Sequence, residues 1–253
     1  SMKTYTYSLL ATSIVLCGLT LVVPLRAQDS YLSEEDIFNE EVDGAANVYD
    51  PLERVNRYTF AFNDFVYLNF LQPLADGYTA LTPDPVEEGA SKFFYNLKYP
   101  VRLVANLLQG RLNGVWVESG RFAINSTLGI AGVMTPADNF KGFAPIKPED
   151  IGQALGAWGI GPGPYLVLPL LGPSNLRDLG GLIGDRAVNP MKEPFSLIDD
   201  WDWEWRLALT SSGFIVTSPT LLERYQQLKG SAIDPYSSLR NGYTQFRLGA
   251  IAE

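Results

Sequence analysis

The stretch Trp158–Asp185, WGIGPGPYLVLPLLGPSNLRDLGGLIGD, decides how the chain is read. Gly159, Gly161, Pro162, Gly163 and Pro164 crowd its first part, and a nearly uninterrupted apolar run from Tyr165 to Leu171 follows. Glycine tolerates positive φ and close backbone approach, whereas proline fixes φ and withholds a donor, so the opening is a specified loop and not a helix interior. The apolar run is short enough to be a buried strand or a core edge. Arg177 and Asp178 then stand at the entrance to a helix, among very small residues.

Upstream, helical patterns are punctuated by proline and glycine. Asp50 is placed to cap a helix with Pro51 at its first position, and Leu52, Val55, Tyr58, Thr59, Phe62, Phe65 and Val66 recur at spacings of three and four. This helix is predicted over Pro51–Leu71, ending before Pro73. Phe60, Tyr67 and Phe70 put aromatic groups on its other faces, so it is buried on several sides or sits against lipid. Further helices are predicted over Val86–Leu97, from Pro100 to Gly110 and over Leu112–Asn125. Downstream, the run through Trp201, Trp203 and Trp205 to Thr210 lacks glycine and proline and reads as helix. Two more follow, Thr220–Leu228 behind a boundary at Pro219, and Tyr236–Leu248 behind Asp234 and Pro235. No fixed repeat emerges.

Residues 1–27 have the pattern of a secretory signal peptide: Lys3, an apolar stretch, and a small-residue exit at Ala27. Cys17 is the single cysteine, and Leu16 before it is bulky where a lipid-anchor site wants a small residue. Cleavage after Ala27 is therefore preferred to an anchor at Cys17. Residues 28–48 form an acidic arm, 49–248 a single helical domain, and 249–253 a short tail.

Composition narrows the function. Of 253 residues, 46% are apolar and 19% charged, against roughly 25% charged in ordinary globular domains. The net charge of −9 gives a nucleic-acid backbone little to hold. Histidine is absent, which removes the usual general base and the commonest zinc ligand. Ser119 and Ser126 thus have no imidazole to activate them, so no catalytic residue is assigned. The glycine loop lacks GxxxxGK[ST], and its prolines remove donors a phosphate cradle needs. Glu149, Asp150, Asp178 and Asp185 match no calcium loop, so neither metal nor cofactor is expected. Arg177 and Asp178 have two readings, an internal ion pair or cap, and a contact to a phosphate-bearing headgroup. The 5 Trp, 13 Tyr and 13 Phe supply material for an interfacial belt. After residue 27 no apolar run reaches the roughly 20 residues a spanning helix needs.

Four segments resemble one family closely: YDPLERVNRYTFAFND from Tyr49, RFAINSTLGIAG from Arg121, DIGQALGAWGIGPGPYLVLPLLGPSNLRD from Asp150, and DPYSSLR from Asp234. They are similar to the MlaA, or VacJ, family of Gram-negative envelope proteins. The resemblance implies an all-α, single-domain, ring-shaped protein in the periplasmic leaflet of the outer membrane, with a glycine-rich hairpin beside a central amphipathic channel. It implies that mislocalised phospholipids leave the outer leaflet through that channel for a periplasmic lipid carrier, and that a trimeric porin is a partner. Gly156, Gly159, Gly161, Gly163, Pro164, Tyr165 and Leu168 would form the hairpin, with glycines 159, 161 and 163 letting it pack close to the channel helices. Asn56, Arg57, Phe62 and Asn63 would lie on the ring helix and its gating side. A soluble periplasmic lipid-binding carrier is the alternative.

Overall fold

The computed structural model describes residues 48–252 apart from 193, 195, 197 and 199. The leader, Cys17, Ala27 and the arm as far as residue 47 lie outside the described residues.

The described chain is mainly helical, with one two-stranded hairpin. Helices α1 (Glu53–Val66), α2 (Gln72–Leu81), α3 (Asp84–Leu97), α4 (Tyr99–Leu108) and α5 (Leu112–Thr127) come first. A 3₁₀ turn at Pro136–Asn139 leads to α6 (Ile151–Ala157), then to β1 (Tyr165–Leu168) and β2 (Gly172–Asn175). Helices α7 (Leu176–Val188), α8 (Trp203–Ser231) and α9 (Pro235–Ala252) complete the chain, so residues 249–252 continue a helix where a tail was expected.

Two prolines do not act as boundaries. The helical path continues through Pro73, because a π-helical turn at Tyr67–Leu71, closed by the Gln72 N–H on the Tyr67 carbonyl, places Pro73 at the start of α2. A missing N–H costs nothing in a first turn. Pro219 lies inside α8, which is one helix where two segments were predicted. The carbonyl that Pro219 leaves without its usual donor is that of Ile215, and Ser218 Oγ donates to it at 2.7 Å. Ser218 is fully buried, so this substitute bond is shielded from water.

Asp50 does not cap α1, whose N-terminus has no side-chain cap. Its carboxylate instead accepts from Asn56 Nδ2 at 2.8 Å, from the Tyr236 hydroxyl and from Arg240. This ties the start of α1 to α9.

Polarity is inverted relative to an ordinary soluble domain. Among the described residues, eighteen polar or charged residues are buried against fifteen apolar ones, while Val55, Tyr58, Phe62, Phe65, Trp116 and Trp203 stand exposed. Water-facing folds bury their charged groups rarely and only when paired. Conventional apolar packing is confined to small clusters, the larger being Tyr67, Leu71, Ala75, Leu222 and Tyr225 between the π turn, α2 and α8.

Candidate functional site

Helix α1 has an inward polar edge and an outward greasy one. Asn56, Asn63 and Tyr67 recur on the inner side and are buried, whereas Val55, Tyr58, Phe62 and Phe65 form an exposed apolar stripe at spacings of three and four. The inner asparagines hold the hairpin. Asn56 Nδ2 donates to the Tyr165 carbonyl at 3.0 Å and its Oδ1 accepts the Val167 N–H at 2.9 Å. Asn63 repeats this with the Leu168 carbonyl at 2.9 Å and the Leu170 N–H at 2.7 Å, and the Tyr67 hydroxyl donates to the Leu170 carbonyl at 3.0 Å. Side chains thus supply to β1 the ladder that a third strand would have given. On its other edge β1 pairs antiparallel with β2, Tyr165 opposite Asn175 and Leu168 opposite Gly172.

Behind the hairpin lies an ionic core. Asp150 caps α6 and Asn175 caps α7, each accepting from the backbone N–H three residues on. Arg247 of α9, fully buried, bridges the two helix starts: Nη1 reaches Asp150 at 2.8 Å, while Nε and Nη2 both reach Asp178 at 2.7 Å. The Tyr243 hydroxyl also donates to Asp178. Burial alone pushes the Asp178 carboxyl up, but hydrogen bonds from Arg247, Arg177 and Tyr243 outweigh it and hold the group below its ordinary range. The backbones of α6 and α7 meet at Gly152 and Gly181, where any side chain at Gly181 would collide with the Gly152 main chain.

A cavity of about 450 Å³ opens among α3, α4, α5 and α8. Its charged lining is Glu88, Lys92, Arg102, Glu118, Arg121, Asp138 and Arg224, with Ser91, Tyr95, Asn96, Phe122, Asn125, Thr135 and Thr220 between them. Arg102 Nε donates to Glu118 at 2.8 Å, both side chains being deeply buried, and its guanidinium lies 3.9 Å from the centre of the Tyr95 ring. Arg121 Nη1 donates to the Phe143 carbonyl at 2.6 Å and pairs with Asp138 at 2.8 Å. Lys92 and Glu88 pair at 2.6 Å near the rim.

The hairpin residues singled out from the sequence lie together, but not in this cavity. Tyr165 is buried and packs edge-to-face on Tyr236 and Tyr243. Pro164 lends its carbonyl to the Leu176 N–H. Gly159 and Gly163 have φ of 83° and 67°, a region that suits glycine. The expectation that glycines 159, 161 and 163 allow close packing is corrected for two of them. A Cβ at Gly159 or Gly161 would meet nothing within 4 Å, whereas one at Gly163 would lie 3.1 Å from Leu176. At Gly156 it would press on Ile251 at 2.5 Å.

Arg177 and Asp178 are buried and pair with each other at 3.0 Å, the internal arrangement of the two readings. Phe62 is exposed, and Arg57 forms exposed ion pairs with Glu53 and Asp234, each at 2.8 Å. Sequence reading passed over Arg102, Glu118 and Arg121. The buried faces of α4 and α5 also carry Asn106 and Asn125, so no lone charge on an apolar stripe marked them.

A helical protein with ion pairs inside and aromatics outside is of the class suited to a boundary with apolar solvent. The chain belongs to the MlaA lipoprotein family, whose model matches residues 48–249. It is 33% identical over 203 residues to the "Intermembrane phospholipid transport system lipoprotein MlaA" of Escherichia coli K12, covering 78% of this chain and 76% of that one. The Haemophilus influenzae protein of the same name is 30% identical over 200 residues, with the same coverage of each chain. An uncharacterized protein of Rickettsia bellii is 32% identical over 248 residues, 96% of this chain and 92% of that one. A solved structure from work on the "structural basis for maintenance of bacterial outer membrane lipid asymmetry" superposes with a TM-score of 0.65 at 30% identity. It covers 80% of this chain and 98% of that chain.

Proposed function

We propose that this chain is the outer-membrane component of a phospholipid transport system. It takes phospholipids that have strayed into the outer leaflet and passes them through an amphipathic channel to a periplasmic lipid carrier. The carrying observation is the coexistence of a charged cavity within the helices and large apolar side chains on the outside. A headgroup needs the first, and the acyl chains around the protein need the second.

On this reading the protein lies in the periplasmic leaflet without crossing it, a reading supported by the lack, among the described residues, of a helix long and apolar enough to span. On the family resemblance the helices form a ring, with Asn56, Arg57, Phe62 and Asn63 of α1 at its gating side and the hairpin from Gly156 to Leu168 beside the channel. A trimeric porin is the expected neighbour, docking on the exposed aromatic surface. No bond is made or broken, so the protein is a conduit and not an enzyme. Cleavage after Ala27 leaves anchoring to this surface, and the mass of the mature N-terminus distinguishes that from an acylated Cys17.

The test is complementation of a strain lacking its own family member, with outer-leaflet phospholipid as the readout. Restored asymmetry is expected from the wild-type chain. Normal abundance in the outer membrane with undiminished surface phospholipid would sink the proposal.

A further inference from the structure

The donors inside the cavity are not all spent on protein. Arg102 uses Nε on Glu118 and Nη1 on the Tyr95 carbonyl, and Arg121 uses Nη1 on Phe143 and Asp138. The Nη2 groups of both arginines have no hydrogen-bond acceptor among the described residues, although the two residues are only 5% and 6% exposed. They are not sealed in protein either: the buried side-chain polar atom without a partner, among the described residues, is Tyr165 Oη. Both residues line the cavity. Four cationic and three anionic side chains line this space.

We infer that Arg102 and Arg121 form a binding site for the phosphodiester of a glycerophospholipid headgroup, which accepts hydrogen bonds from their unspent Nη2 groups. This rests on the transport reading and adds to it the chemical group recognised and the residues that recognise it. A guanidinium presents planar paired donors to phosphate oxygens, and a site shielded from water strengthens each such bond. Glu118 and the Tyr95 ring hold Arg102 from one side, so its outer edge is oriented before a ligand arrives.

The experiment is calorimetric titration of the full chain in detergent with dioctanoylphosphatidylethanolamine, dioctanoylglycerol, glycerophosphoethanolamine and inorganic phosphate. Two variants are compared with wild type. Arg121→Gln removes one donor set. Arg102→Gln with Glu118→Gln removes the other and keeps the buried pair neutral, which preserves folding where a lone buried carboxylate would not. Thermal midpoints confirm that both variants are folded.

The phospholipid is expected to bind wild type more tightly than dioctanoylglycerol, and each variant to weaken it by about tenfold, the loss of one charge-assisted hydrogen bond. The variants leave the weak binding of dioctanoylglycerol unchanged. Equal binding of the phospholipid by all three folded proteins would overturn the site while leaving the transport reading standing. Inorganic phosphate bound as tightly as the phospholipid would reassign the site to free phosphate and overturn the lipid assignment. A wild-type chain that binds no lipid would overturn both.

Discussion

Asn56 and Asn63 stand two turns apart on one helix and grip one strand at two points, each donating to a carbonyl and accepting an amide. The spacing is a match of two lattices. Seven helical residues advance about 10.5 Å, and the three residues from the Tyr165 to the Leu168 carbonyl advance about 10 Å in a strand. A helix edge thereby serves as a sheet edge.

Replacing Asn56 with alanine strands a buried carbonyl and a buried amide of β1, and replacing Asn63 leaves the part-buried Leu168 carbonyl and Leu170 amide unpaired. Asn63→Ala is expected to cost about 1–2 kcal/mol, the lower part of the range for groups left unpaired, since its partners are part-buried. Hydrogen exchange would be raised at Leu170 for this variant and at Val167 for Asn56→Ala. Unchanged protection at those amides would show that the clasp does not hold the hairpin.

Glycine positions separate cleanly by what surrounds them. Gly181→Ala forces α6 and α7 apart at Gly152 and is expected to destabilise by about 3 kcal/mol, as overpacking against a backbone does. Gly161→Val meets open space and is expected to leave both thermal midpoint and lipid movement near wild type. Comparable losses in both variants would contradict this contrast.

The ionic core predicts a pH dependence of definite sign. Asp178 in the unfolded chain titrates near its ordinary 3.8, and in the fold lower. Its contribution is therefore complete above about pH 5 and is lost as pH falls through 3.8 toward the folded value, since the unfolded state then binds the proton first. Thermal midpoints measured from pH 7 to pH 3 should fall at the acid end. Asp178→Asn should lower the midpoint at pH 7 and flatten the acid slope.

Pro219 offers a test of compensation. Ser218→Ala removes the donor to the Ile215 carbonyl and is expected to cost about 1–2 kcal/mol. Pro219→Ala restores the ordinary helical donor and is expected to raise the midpoint. A lowered midpoint for Pro219→Ala would mean that the helix depends on a bend there.

The outer stripe of α1 should govern partitioning more than stability. Val55→Ser, Phe62→Ser and Phe65→Ser together remove exposed apolar area without touching the inner asparagines. Binding to phosphatidylethanolamine and phosphatidylglycerol vesicles is expected to fall, with the thermal midpoint in detergent little changed. Flotation of vesicles on a density gradient measures this directly.

Proline and glycine made most of the helices legible, because their backbone restrictions act locally. Pro73 and Pro219 misled for a complementary reason: a π turn and a serine hydroxyl supply what each proline withholds, and neither device has a periodicity. Asp50 looked like a cap because capping is a local pattern, whereas its actual partners, Tyr236 and Arg240, lie in the last helix. The glycines and the apolar run showed a loop followed by a strand or core edge, and the family resemblance supplied the hairpin. The cavity could not, since Arg102 and Glu118 acquire meaning only when α4 and α5 are set side by side.

The inverted polarity also decides which forces keep the helices together. In the proposed setting among acyl chains, apolar side chains gain nothing by turning away from their surroundings, so association falls to contacts such as Arg247 with Asp150 and Asp178. Opening the bundle there would strand full charges in oil, which makes cohesion greatest where an ordinary water-soluble protein would come apart.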